Sequence, residues 1–202
     1  MKHTIAITLI FALLGSYAPI SSAQEPWMSA ILKAVPIPPD PKTVPSFCLA
    51  WWPDLNKSKT NWWKKFGPDF GFMNHYCDTA KRIPICWRYP KADRNACLTK
   101  LLEGPSYSIR QAKNPNYQLL PFLYTELGKM LKDLGRYIEA IEAFQNAIKK
   151  NQRYIPAYVK LSDTYLLIKD VDSAEATVRQ GLKFKKHKAL LRRLKKIEAS
   201  RK

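Results

Sequence analysis

The sequence predicts an all-α protein: a short solenoid of helical hairpins, preceded by an irregular cysteine- and tryptophan-rich region and closed by a basic capping helix. Three observations predict it. Tyr124, Leu127, Gly128, Leu131, Ala140, Phe144 and Ala147 recur 34 positions later as Tyr158, Leu161, Ser162, Tyr165, Ala174, Val178 and Gly181. Small residues at those places let two antiparallel helices approach, and the large ones fill the gaps between them. Residues 47–72 collect Trp51, Trp52, Trp62, Trp63, Phe66, Phe70 and Phe72, broken by Pro53, Gly67 and Pro68, with no period of two or 3.6, so loops and short helical turns are expected there. Residues 188–199 place Leu190, Leu191, Leu194 and Ile197 on one stripe and Arg192, Arg193, Lys195 and Lys196 on the rest, the pattern of a terminal helix with a polar outer face.

The 34-residue spacing resembles that of the tetratricopeptide repeat (TPR), W-x2-L-G-x2-Y followed by A-x3-F. Tyr124 stands in place of Trp, and in the second copy Ser162, Val178 and Gly181 stand for the usual Gly, Phe and Ala. The second unit is therefore expected to be looser. Residues 121–154 form the first unit, 155–188 the second, and 189–202 the capping helix and tail. In TPR proteins the first helix of each unit lines a concave face. The resemblance thus assigns Thr125, Lys129 and Lys132, then Val159, Asp163 and Leu166, to a groove for an extended peptide or a helix. The box Met73-Asn74-His75-Tyr76-Cys77, followed by Leu119-Leu120-Pro121 and the repeats, is similar to a group of exported bacterial TPR proteins. It implies an envelope address and a structural Cys77.

The helices follow from local signals. Pro121 and Pro156 sit where a first turn tolerates proline, and Gly135 is placed to cap the first helix of the first unit. Residues 137–150 return antiparallel, with Ile141, Phe144 and Ile148 inward. Asp172 and Glu175 fit a capping box for the next helix, which runs to about residue 185. Upstream, 74–81 and 92–102 are expected to be helical and to form a degenerate hairpin within the region 47–120. Gly104-Pro105 is read as a stop, and 105–120 as a connector.

The N-terminus sets the expected compartment. Lys2 and His3 precede an apolar run from Ile5 to Leu14, and Ser21-Ser22-Ala23 supplies small residues for a signal peptidase. The leader is expected to span 1–23 and to be removed, because its apolar run is shorter than the roughly 20 residues a bilayer crossing needs. Residues 24–46 then read as a linker, whose Pro36, Pro38, Pro39, Pro41 and Pro45 favour an extended strap. In an exported, periplasmic or secreted chain, Cys48, Cys77, Cys86 and Cys97 are expected to form two disulfides. Three pairings are open. Cys48 with Cys77 and Cys86 with Cys97 is preferred, since the second pair brackets a short proline-containing turn. No C-x2-C pair favours a metal, and no cofactor is expected.

The residues point to binding rather than to a reaction. There is no G-x-S-x-G elbow, no phosphate loop and no H-E-x-x-H helix. His75 beside Cys77 or Asp78 would be a thiol site only if the cysteine were free. The expected function is therefore a non-enzymatic protein-interaction adaptor. The alternative is a module for glycan, anionic polymer or lipid headgroups, with Trp62 and Trp63 as a stacking platform beside Lys64 and Lys65, and Arg192, Arg193, Lys195 and Lys196 meeting the charge. A formal charge of +18, with ten basic residues and only Glu198 acidic between 183 and 202, favours acidic partners. Export argues against nucleic acid.

Overall fold

The structure, a computed structural model, describes residues 38–52, 54–55 and 60–199. The expected leader and most of the proline-rich linker lie outside the described residues. Among the described residues the regular elements are helices. A 3-10 turn, Ser46–Trp51, is followed by α1 (Trp62–Phe66), a second 3-10 turn (Pro68–Phe72), α2 (Met73–Cys86), α3 (Lys91–Leu101) and α4 (Glu103–Gln111). Then come α5 (Leu120–Asp133), α6 (Tyr137–Lys150), α7 (Ile155–Leu167), α8 (Val171–Phe184) and α9 (Lys188–Ala199). Helices α5 and α6 form one hairpin, α7 and α8 the next, and α9 packs mainly on α8. The result is the short TPR-type hairpin solenoid that the repeat spacing predicts.

Each hairpin closes on a small residue facing a large one. A Cβ built on Gly128 of α5 would lie 2.6 Å from the Phe144 ring of α6, so the ring occupies the volume that any side chain at 128 would need. At the equivalent positions of the second hairpin, 34 residues on, stand Ser162 and Val178, both fully buried: a slightly larger residue and a smaller one. Gly181 likewise leaves room for two neighbours, Tyr158 at 2.9 Å and Leu190 of α9 at 2.9 Å from a Cβ placed there. The second hairpin packs less extensively than the first, as the substitutions in its pattern suggested. Its centre is closed all the same: Tyr158, Ala174, Val178 and Leu190 are all at 0% exposure.

The turns differ more than the packing. Gly135 ends α5 with φ 78°, and the backbone N–H groups of Gly135 and Arg136 donate to the carbonyls of Lys132 and Leu131 at 2.9 Å each. At the equivalent place after α7 stands Lys169, with φ 64°. It makes the same two bonds, to Leu166 at 3.1 Å and, from Asp170, to Tyr165 at 2.9 Å. A side chain is thus held in the left-handed region, at a cost of about 1 kcal/mol. The capping box expected at Asp172 is displaced: the N-cap of α8 is Asp170, whose carboxylate accepts from the Ser173 N–H at 3.0 Å.

The N-terminal part departs most from the sequence reading. Helix α2 runs through Pro84 to Cys86 instead of stopping near 81, because its last turn is bridged to α3 by the Cys86–Cys97 disulfide. Gly104-Pro105 does not stop a helix but opens α4, where a first-turn proline needs no N–H partner, so much of the expected connector is helical. Helix α4 packs on α2 and on α5. A Cβ on Gly104 would lie 2.0 Å from the Thr79 Oγ1 and 2.7 Å from the His75 carbonyl oxygen, so this hairpin too closes on a glycine. Moving the repeat pattern back by 34 residues misses it because α3 is inserted between the paired helices.

Aromatic side chains fill the end of the stack. Phe47 meets Trp62, Phe66 and Phe70 edge-on at 6.3 Å, and Phe122 of α5 at 5.4 Å. Tyr76 meets Phe122 at 5.0 Å from the other side. The Cys48–Cys77 bridge ties the first 3-10 turn to α2, so this plug is covalently fixed.

Two outcomes follow from the hairpin contacts. Gly128→Ala should cost on the order of 1–3 kcal/mol in a urea melt, and Phe144→Val in the same chain should recover part of the loss, because it removes the ring that the new methyl group would meet. Additive losses would show that the two residues do not share one volume. Lys169→Gly should raise stability by up to about 1 kcal/mol by relieving the left-handed backbone; a thermal midpoint unchanged or lowered relative to the parent would refute this.

Candidate docking site

The first helices of successive units stand side by side, α5 against α7 and α7 against α9. This row positions the residues expected to line a groove. Four of the six remain available. Lys129 is half-exposed and its Nζ lies 2.9 Å from both carboxylate oxygens of Glu126, one turn earlier. Lys132 pairs with Asp133 at 2.9 Å. Val159 and Leu166 are half-buried against the core, and the adjoining Leu167 and Ile168 are 55% and 37% exposed.

Two residues do not serve as expected. Thr125 is buried, 3% exposed, and its hydroxyl donates to the Pro121 carbonyl at 2.8 Å, so it belongs to the helix interior. Asp163 is engaged by α9: the Arg193 Nε and Nη2 each donate to it at 2.7 Å, a two-point contact that fixes the capping helix to the groove-lining helix. That same bond removes Arg193 from the expected anion-binding set. Arg192, Lys195 and Lys196 stay exposed on the outer side of α9.

The tryptophan platform does not form either. Trp62 is 8% exposed and stacked on Phe66 at 5.8 Å with the planes 5° apart, so its ring is core. Lys65 lies over Trp62 at 5.1 Å and over Phe66 at 5.2 Å, capping that stack as a cation on aromatic faces. Trp63 is exposed at 46% but leans on Trp51 and Phe70. Lys64, in the same short helix, is exposed, and its backbone N–H donates to the Asn61 side chain at 2.9 Å.

Groups the sequence did not single out lie beside the row. Glu126 sits near both Tyr76 and Tyr154. Burial, with Glu126 adding to it, raises the Tyr76 phenol well above its ordinary value and pushes Tyr154 up to about 12. These hydroxyls therefore stay protonated and can only donate to the carboxylate or accept from a neighbour. Helical register places 126 next to the predicted 125 and 129, but no sequence signal brings Tyr76, some 50 residues away, to the same spot. The cysteines are paired as Cys48–Cys77 and Cys86–Cys97, so no thiolate stands beside His75.

Asp78, one residue after the bridged Cys77, supports the N-terminal end of the stack. Burial raises the carboxyl, but hydrogen bonds from Arg82 (2.8 Å) and Lys81 (2.9 Å) outweigh it, leaving the pKa below the usual value. A lowered carboxyl contributes stability above its unfolded pKa of about 3.9, and the contribution is lost as pH falls through the folded value. Asp78→Asn should therefore be less stable than the parent at neutral pH, and the gap should close at about pH 3 or below. An equal gap at both pH values in denaturant titrations would assign the loss to packing instead of charge.

Residues 131–196, about a third of the chain, match the family model described as tetratricopeptide repeat. The match runs from the last turns of α5 into α9, so it covers the second helix of the first unit, the whole second unit and most of the capping helix. No curated protein matches the chain. Together with the hairpin packing, the match makes this a chain with TPR-type repeats, a fold whose surfaces generally bind protein partners.

Proposed function

We propose that the protein is an exported, non-enzymatic adaptor that holds a protein partner along the row of α5 and α7, in an assembly of the bacterial envelope. The observation that carries the reading is the division of labour within each hairpin. The faces of α5 and α7 turned toward α6 and α8 carry Gly128 and Tyr158, whose contacts with Phe144 and Gly181 close the fold. The row itself carries Lys129, Lys132, Val159, Leu166 and Leu167, which no such contact requires. Val159, Leu166 and Leu167 suit a partner segment that lays down an apolar side, as a strand-like peptide or one helix, with the Lys129–Glu126 and Lys132–Asp133 pairs as its polar edge. Arg193 on Asp163 bounds the row at its C-terminal end.

Export is part of the proposal. The charged, apolar and small-residue sequence of 1–23 supports it, and so does the use of all four cysteines in bridges, since disulfides persist in oxidising compartments. The similarity of the Asn74-His75-Tyr76-Cys77 box to exported repeat proteins points the same way.

The groove is tested by quantitative mass spectrometry of proteins co-purified from the envelope fraction. Lys132→Glu with Leu166→Glu should deplete the partner by about tenfold or more, whereas Lys64→Glu should not. Retention of every partner by the double variant, with its helical circular dichroism unchanged, would remove the row from the binding surface. The intact mass of the non-reduced protein from the same preparation tests export: the expected chain begins at Gln24 and is lighter by four hydrogens, and a chain retaining Met1 or free thiols would contradict it.

A further inference from the structure

A cavity of about 570 Å³ lies outside the repeats, where the first 3-10 turn, α2, the end of α3 and the start of α4 come together. That volume is within the range of small-molecule sites. Its walls are held in place from several directions. Cys48–Cys77 joins the turn that carries Trp51 to α2, and Cys86–Cys97 joins α2 to α3. The Thr79 hydroxyl donates to the Leu101 carbonyl at 3.1 Å, and Gly104 allows α4 to approach α2 closely.

The lining defines the ligand. Trp51 and Trp52 are half-buried and supported from behind: Trp51 rests on Phe70 at 4.9 Å and on Trp63 at 5.5 Å, and Lys81 covers one face of Trp52 at 4.9 Å. Both indoles contribute to the cavity wall, along with Asn74, Asp78, Lys100 and Glu103. Aromatic surface beside several hydrogen-bonding groups suits a ring that is apolar on its face and polar at its rim, which is the character of a pyranose. The charges decide its sign. Asp78 is neutralised by Lys81 and Arg82, and Glu103 by Arg110 at 2.5 Å, so neither carboxylate is left to attract a cation. Lys100 has no ion-pair partner among the described residues.

We propose that this cavity binds a small acidic saccharide, one or two pyranose rings bearing a carboxylate, seated against Trp51 and Trp52 with its acid group at Lys100. The site is separate from the α5–α7 row, and Trp63 does not line it but backs Trp51. It gives the chain a second recognition surface whose shape depends on both disulfides.

The test is a titration of the full mature chain, bridges intact, with a galacturonic acid disaccharide, followed by indole fluorescence and by the tryptophan side-chain N–H resonances. Saturable binding is expected, about tenfold tighter than for the neutral galactose disaccharide. Lys100→Gln should abolish that preference, and Trp52→Ala should weaken both sugars by about tenfold or more. Lys196→Gln and Leu166→Glu should bind like the parent, which separates this site from the basic helix and from the groove. Should Trp52→Ala not fold, the Lys100→Gln comparison decides alone. The proposal is overturned if neither sugar gives a saturable signal up to about 10 mM, or if the acid preference survives Lys100→Gln.

Discussion

Glycines mark the points where paired helices press together most closely. Gly104 faces Thr79 and His75, Gly128 faces Phe144, and Gly181 faces Tyr158 and Leu190. At each place the partner occupies volume that a methyl group would need, so the separation of the axes is set by the absence of a side chain. Everything else is arranged around that approach. The aromatic side chains fill space that the close packing defines, and the outward helix faces are spared from core duties. In the second hairpin the positions of Gly128 and Phe144 are taken by Ser162 and Val178, both fully buried, and the glycine that admits a ring stands at 181 instead.

Two repeats alone would leave apolar surface at both ends of the stack. The chain solves this with two unlike devices. At the C-terminal end α9 offers Leu190 and Ile197 to the core and is fastened by Arg193 to Asp163 and by Glu198 to Arg179. At the other end an irregular segment is used, in which Phe47 serves as the meeting point of five aromatic rings. A segment without regular hydrogen bonding has little to hold it, and the Cys48–Cys77 disulfide supplies that restraint by limiting the unfolded chain, by a few kcal/mol.

The repeats could be read from the sequence because their packing is local: partners lie within one 34-residue unit, and helical period and residue size carry the information. What escaped the reading depends on contacts between distant segments. Gly104-Pro105 looks like a helix end until Thr79 is seen to need the glycine. Trp62 and Trp63 are neighbours in sequence and alike in chemistry, yet one is core and the other is surface, because only the fold decides which side of α1 meets Phe47. Thr125 follows the expected register of a groove residue, but its hydroxyl is taken by the carbonyl four residues back. Asp163 and Arg193, thirty positions apart, were both assigned to binding surfaces and instead bind each other. The cavity by Trp52 is built from four separate elements, so no single stretch announces it.

Both sulfur bridges lie before residue 98, and the repeats contain none. Reduction would therefore act on one portion of the molecule alone. It would free the aromatic plug at the α5 end of the stack from its covalent hold on α2 and break no bond in the hairpins after residue 120.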